Sequence, residues 1–255
     1  MSVNLESMAK KVLSCLDLTN LNDDCTSEAV EALCQRAMSA AGHTAAVCVW
    51  PDFVAEAVQH LANSGVKVAT VVNFPSGEEP AGAVMEMTEN AVAMGADEID
   101  LVVPYQSFLE GQEEKVFARV RRVKSAAGSD VLVKAILETG MLNDPEKIRR
   151  VAELAIDGGA DFIKTSTGKV PVNATLSAAR TLLEVIKQAE RPIGFKPAGG
   201  VKTVEQGAHF IELADEIMGE GWVSPNTFRI GASGVWDDVM AVLSGAERDT
   251  PGDNY

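Results

Sequence analysis

Apolar positions along this chain recur with two periods that alternate from one end to the other. Short, nearly continuous apolar runs, exemplified by Val131-Leu132-Val133-Lys134-Ala135-Ile136-Leu137, read as strands buried on both faces. Between them lie longer stretches with apolar residues at helical spacing, mostly opened by Asp, Thr or Pro and closed by Gly. A leading helix is predicted over 3–14. Strands follow over 15–19, 45–50, 66–74, 98–103, 131–137, 162–163, 192–196 and 227–233, with helices over 26–40, 52–63, 80–94, 111–126, 143–157, 175–189, 203–219 and 235–243.

Eight strand-then-helix units in about 240 residues predict a (β/α)8 barrel with an additional N-terminal helix. An open doubly wound sheet is the alternative, but such sheets usually hold fewer strands at this length, and no G-x-G-x-x-G follows the first strand. Without linker, repeat or low-complexity tract, residues 1–255 are expected to form one domain. The polar segment 246–255, with its Pro and Gly, is expected to be a mobile tail.

Composition narrows the function classes. The 255 residues carry a net charge of −15, which disfavours nucleic acid and anionic membrane as partners. No apolar run approaches the ~18–20 residues of a membrane span, and the first residues lack the features of a signal peptide, so a cytoplasmic protein is expected. Cys15, Cys25, Cys34 and Cys48 show no C-x-x-C spacing, and three histidines do not suggest a metal cluster. The thiols are expected to be reduced, with Cys48 a small core or pocket residue.

In a barrel of this kind chemistry sits where strands end. The polar residues at those ends are Asp17, Thr19, Cys48, Asn73, Asp100, Lys134, Glu138, Lys164, Lys196 and Ser233. Buried ion pairs explain Lys134 or Glu138 as well as catalysis does. Lys164 and Lys196, on adjacent strands, are different: two ammonium groups repel, one sheds its proton, and a neutral amine attacks an aldehyde or ketone to form a Schiff base.

Glycines supply a second region. Thr167-Gly168-Lys169, Gly199-Gly200-Val201-Lys202 and Gly231-Ala232-Ser233-Gly234 follow the sixth, seventh and eighth strands. Barrels often bind phosphate on the last two such loops, at helix N-termini. Lys169 and Lys202 would be the local cations.

Leu16-Asp17-Leu18-Thr19, Ala96-Asp97-Glu98-Ile99-Asp100, Ala160-Asp161-Phe162-Ile163-Lys164-Thr165-Ser166-Thr167-Gly168 and Gly194-Phe195-Lys196-Pro197-Ala198-Gly199-Gly200-Val201 resemble the 2-deoxyribose-5-phosphate aldolase family of class I, Schiff-base-forming aldolases. The resemblance runs from about residue 10 to 245. It implies a TIM barrel and reversible cleavage of 2-deoxy-D-ribose 5-phosphate to D-glyceraldehyde 3-phosphate and acetaldehyde in deoxyribose phosphate catabolism, without metal or other cofactor. It makes Lys164 the Schiff-base lysine, Lys196 the cation that lowers its pKa, and Asp100 the acid/base acting through a water. Asp17, Thr19, Lys134, Thr165 and Cys48 would surround or line the substrate. Phosphate would meet Gly168, Lys169, Gly199, Gly200, Val201, Lys202, Gly231, Ser233 and Gly234. The terminal Tyr255 would reach back to assist proton transfer in the manner of some members.

Lys202 stands where the pattern carries arginine, a point charge in place of a planar fork, and Gly234 where a second serine is common. Both bear on phosphate affinity and neither touches the lysine chemistry. The expected partners are a small sugar phosphate and aldehydes, with a homodimer left open. An aldolase for ketose phosphates and a non-catalytic sugar-phosphate-binding module are the competing readings.

Overall fold

The computed structural model describes residues 4–248. Each predicted apolar run contains a strand: β1 (Leu16–Thr19), β2 (Ala46–Val49), β3 (Lys67–Val72), β4 (Glu98–Val102), β5 (Leu132–Ile136), β6 (Phe162–Lys164), β7 (Gly194–Lys196) and β8 (Ile230–Ala232). All pair in parallel, in the order β8-β1-β2-β3-β4-β5-β6-β7. Bridges from Phe195 to Phe228 and from Ala198 to Gly231 join the two ends of this order, making a (β/α)8 barrel.

The helices begin where side chains can occupy the orphan N–H groups of their first turns. Thr26, Thr175 and Thr203 each accept from the backbone N–H three residues on, and Asp144 accepts from Glu146 ahead of Pro145. Apolar stripes then face the sheet: Pro145–Asp157 buries Ile148, Val151, Ala152, Leu154 and Ala155. Most of the apolar core lies in this outer layer, between sheet and helices.

Local differences from the predicted elements have identifiable causes. The helix expected over 52–63 splits into a 3-10 turn, Pro51–Phe53, and Val54–His60, and the chain beyond it turns through Asn63 at φ 63°. The helix expected over 111–126 is Glu114–Ala127, preceded by a short Tyr105–Leu109 that the pattern did not announce. The eighth strand starts late because the N–H groups of Thr227 and Phe228 both turn back to the Ser224 carbonyl. Only residues 246–248 of the expected tail are described, and there Arg248 forks onto Glu205 and Asp238 at 2.6–2.8 Å.

One close approach fixes the barrel floor. Gly194 lies in register with Phe162 on the neighbouring strand, and a Cβ added there would stand 2.2 Å from the Phe162 ring. The ring therefore fills the space a side chain at 194 would need. Gly194→Ala is expected to lower unfolding stability by about 1–3 kcal/mol, the usual cost of overpacking, measured by urea denaturation. An unchanged midpoint would show that Phe162 moves freely.

Candidate active site

Side chains alternate across each strand, so residues two apart share a face. The interior face carries Asp17 on β1, Cys48 on β2, Glu98 and Asp100 on β4, Lys134 on β5, Phe162 and Lys164 on β6, and Lys196 on β7. Arg229 enters just before β8. In place of the stacked branched aliphatics usual in such barrels, the interior among the described residues is largely charged, and beside Phe162 it holds a small apolar cluster of Leu21, Cys48, Ala69 and Val71.

The charged side chains form one connected tier. Lys134 Nζ lies 2.5 Å from Glu98, 2.9 Å from Asp100 and 3.4 Å from Asp17. Lys196 Nζ lies 2.5 Å from Asp17 and 2.8 Å from Asp100. Arg229 meets Asp17 and Glu98, each at 2.7 Å. Lys164 is the exception, because Asp100 Oδ2, 2.8 Å away, is its one carboxylate partner among the described residues, and Lys196 donates to that same oxygen. The register that sets Lys164 beside Lys196 across β6 and β7 forces the two amines together.

Proton states follow from these contacts. Burial pushes the Lys164 pKa down and Lys196 adds to that, while Asp100 works against both; the balance is a lowered pKa. Burial also works against the charge of Lys196, but Asp100 and Asp17 outweigh it and the ammonium is favoured. Lys134 is held charged in the same way by Asp100, Glu98 and Asp17. Burial opposes ionisation of Asp100, yet Lys134, Lys164 and Lys196 hold its carboxyl well below the usual range. Asp17 is likewise held ionised against burial, by Lys196, Lys134 and Arg229. Burial and then Asp100 raise the Cys48 thiol to about 11, so it is a neutral wall.

Of these lysines only Lys164 opens to the cavity. It is 4% exposed where Lys134 and Lys196 are 0%, and it lines a cavity of about 620 Å³ with Thr19, Thr167, Gly168, Lys169, Gly199, Gly200, Val201, Lys202 and Gly231 to Gly234. Among the described residues, the N–H groups of Gly200, Val201, Ser233 and Gly234 find no acceptor within the chain. Asp237, Asp238 and Glu247 border the same space; Arg36 pairs with the first and Arg248 with the second. The cavity thus offers an amine at one end and free N–H groups with Lys202 at the other. Lys169 Nζ is turned to the Leu21 carbonyl at 2.8 Å. Among the described residues no three His, Cys, Asp or Glu side chains converge as a metal set.

Several expected residues take other positions. Lys134 is not at a strand end but inside the tier. Thr165 does not face the cavity; its hydroxyl ties the end of β6 to Ala198 N and O. Asn73 bonds to Gly77 and Val102 carbonyls and to Glu79 N, locking the loop after β3. Gly231 does line the cavity, but a Cβ there would stand 2.9 Å from Lys196 Cε, so its bare backbone makes room for that lysine's stem. Glu138, buried at φ 57°, accepts from Thr167 N and Oγ1 and so shapes the loop before Gly168. Tyr255 lies outside the described residues.

Glu98 and Arg229 were missed as partners of the tier. The signal was present: Glu98 is two residues before Asp100 and Arg229 two before Gly231, hence on the same strand faces.

Comparison with known proteins identifies the family. The profile of DeoC/LacD family aldolases matches residues 11–232. A deoxyribose-phosphate aldolase of Agrobacterium fabrum is 52% identical over 240 residues, covering 94% of this chain and 93% of the relative. A structure assigned as an apo-form deoxyribose-phosphate aldolase from Toxoplasma gondii superposes with a TM-score of 0.87 at 26% identity, over 95% of this chain and 98% of that one. A tetrameric deoxyribose phosphate aldolase from Aeropyrum pernix, 21% identical with a TM-score of 0.73 over 96% and 97% of the two chains, shares the fold. The chain belongs to the DeoC/LacD family of aldolases.

Proposed function

We propose that this chain is a class I aldolase, a lyase that reversibly cleaves 2-deoxy-D-ribose 5-phosphate to D-glyceraldehyde 3-phosphate and acetaldehyde through a Schiff base on Lys164. The carrying observation is that Lys164, alone among the barrel lysines, has one carboxylate contact and reaches the cavity. The name of the Agrobacterium fabrum relative supports the substrate assignment.

In the synthetic direction neutral Lys164 attacks the acetaldehyde carbonyl, and loss of water leaves an iminium. The iminium acidifies the methyl group, a proton leaves, and the enamine carbon attacks the aldehyde of glyceraldehyde 3-phosphate, whose oxygen takes up a proton; water then hydrolyses the re-formed iminium, releasing the product and the Lys164 amine. Asp100, held ionised, passes protons through a water between the lysine and the reacting carbons. Lys196 keeps the amine from holding its proton in the resting site. The acceptor's phosphate sits on the N–H groups of Gly200, Val201, Ser233 and Gly234 with Lys202 as cation, remote from the forming bond, where it orients the acceptor. The cytoplasm is the proposed compartment and a homodimer the proposed assembly, which a sedimentation mass of one 27.0 kDa chain would remove.

Lys164→Leu is expected to abolish turnover while the circular dichroism stays native. Borohydride with acetaldehyde should place a two-carbon adduct on the Lys164 peptide, whereas an adduct on the Lys196 peptide alone refutes the assignment. Parallel assays on ketose phosphates and deoxyribose 5-phosphate separate this reading from a ketose-phosphate aldolase.

The pH dependence has a definite sign. A lowered Lys164 pKa leaves more neutral amine at a given pH, and activity falls as the pH drops through it. Lys196→Leu removes the like charge and leaves Asp17 and Asp100 underpaired, so the acid limb of kcat/KM should move to higher pH. An unmoved limb in an active variant would exclude Lys196 as perturber.

Lys202→Ala should raise KM for the phosphorylated substrate roughly tenfold, about 1.4 kcal/mol, with kcat nearly unchanged. Equal loss with an unphosphorylated aldehyde would remove Lys202 from the phosphate site.

A further inference from the structure

The tier holds four cationic side chains, Lys134, Lys164, Lys196 and Arg229, against three carboxylates, Asp17, Glu98 and Asp100, all buried. Such a group approaches neutrality only if one cation gives up its charge. Arginine is in effect always protonated, so Arg229 is a fixed charge and the surplus falls on a lysine.

Arg229 is built into its place. Nη1 donates to Asp17 at 2.7 Å and to Glu98 Oε2 at 3.1 Å, Nη2 to Glu98 Oε1 at 2.7 Å, and Nε to the Pro225 carbonyl. Its guanidinium lies 5.7 Å from the centroid of Phe162, two residues before Lys164 on the same strand face. Glu98 Oε2 also accepts from Lys134 at 2.5 Å, and Lys134 reaches on to Asp100 Oδ1. A continuous chain of contacts thus runs from Arg229 through Glu98 and Lys134 to the carboxylate under Lys164.

We propose that Arg229 and Glu98 are positioning residues for the reactive amine: the guanidinium occupies Glu98 and shares Asp17, which leaves Lys134 and Lys196 to saturate Asp100 and makes Lys164 the surplus cation. This rests on Lys164 being the Schiff-base lysine. Neither residue touches the cavity.

The remaining groups around the amine do not take over this role. β2 contributes Cys48, a neutral thiol, and β3 the uncharged Ala69 and Val71. Glu138, at the end of β5, is engaged by Thr167. Losing Arg229 would leave Glu98 and Asp17 underpaired, draw Lys134 away from Asp100, and return negative charge to Lys164. Losing Glu98 has the opposite sign.

The test is the pH midpoint of acetaldehyde trapping at Lys164, read with cyanoborohydride and peptide mass. Arg229→Met should raise the midpoint by about one unit, a tenfold change in amine basicity. Glu98→Gln should lower it. The double variant should lie between the two singles, and Arg229→Lys, which keeps the charge, should stay near wild type even with reduced turnover. A folded Arg229→Met with an unmoved midpoint overturns the proposal, as does a Glu98→Gln whose midpoint stays or rises. Where one single variant does not fold, the other decides. If neither single variant nor the double folds, the pair is structural and the proposal falls. Wild-type protein without a Lys164 adduct removes the Schiff-base assignment itself, a different outcome.

Discussion

Two lysines from adjacent strands donate to one carboxylate oxygen, Asp100 Oδ2, inside a barrel with almost no water access. In bulk water such sharing would be unremarkable, since about 80-fold dielectric screening leaves little repulsion at these distances. Buried, the arrangement cannot hold both protons comfortably. Among the described residues, Lys196 has a second anion in Asp17 and Lys164 has none. The asymmetry between two chemically identical side chains is a matter of who else is within reach.

The fold supplies this asymmetry through register. Parallel pairing aligns Lys164 with Lys196 and Asp100 with Lys134, and strand alternation points all four inward. The helices outside contribute by covering the other face of every strand, so that the polar residues need only satisfy one another. At the far end of the cavity Arg36 and Arg248 neutralise Asp237 and Asp238. A protein of net charge −15 can thereby present a locally receptive surface to an anion.

Much of this was legible in the sequence. Continuous apolar runs bounded by Pro and Gly located the strands, and Thr26, Asp144 and Thr203 marked helix starts because their side chains have a local bonding role. The two lysine segments announced an amine chemistry. Less visible was anything set by distant partners. Arg229 reads as an ordinary strand-edge arginine until β4 brings Glu98 against it, 131 positions away in sequence. The resemblance set Thr165 among the residues around the substrate, but its hydroxyl bonds to Ala198. Gly231 belonged to a glycine-rich loop, and only packing shows that it also clears space for a side chain from β7.

That last feature reaches further than steric convenience. At position 231 the missing methyl group sets how near the Lys196 ammonium can be lodged to its neighbour, for an added Cβ would press on the Lys196 stem and on Ala198, each 2.9 Å away. The working acidity range of such a barrel can therefore be tuned by the volume of an uncharged residue. Changes at this position among related sequences would move a titration curve without altering a single ionisable group.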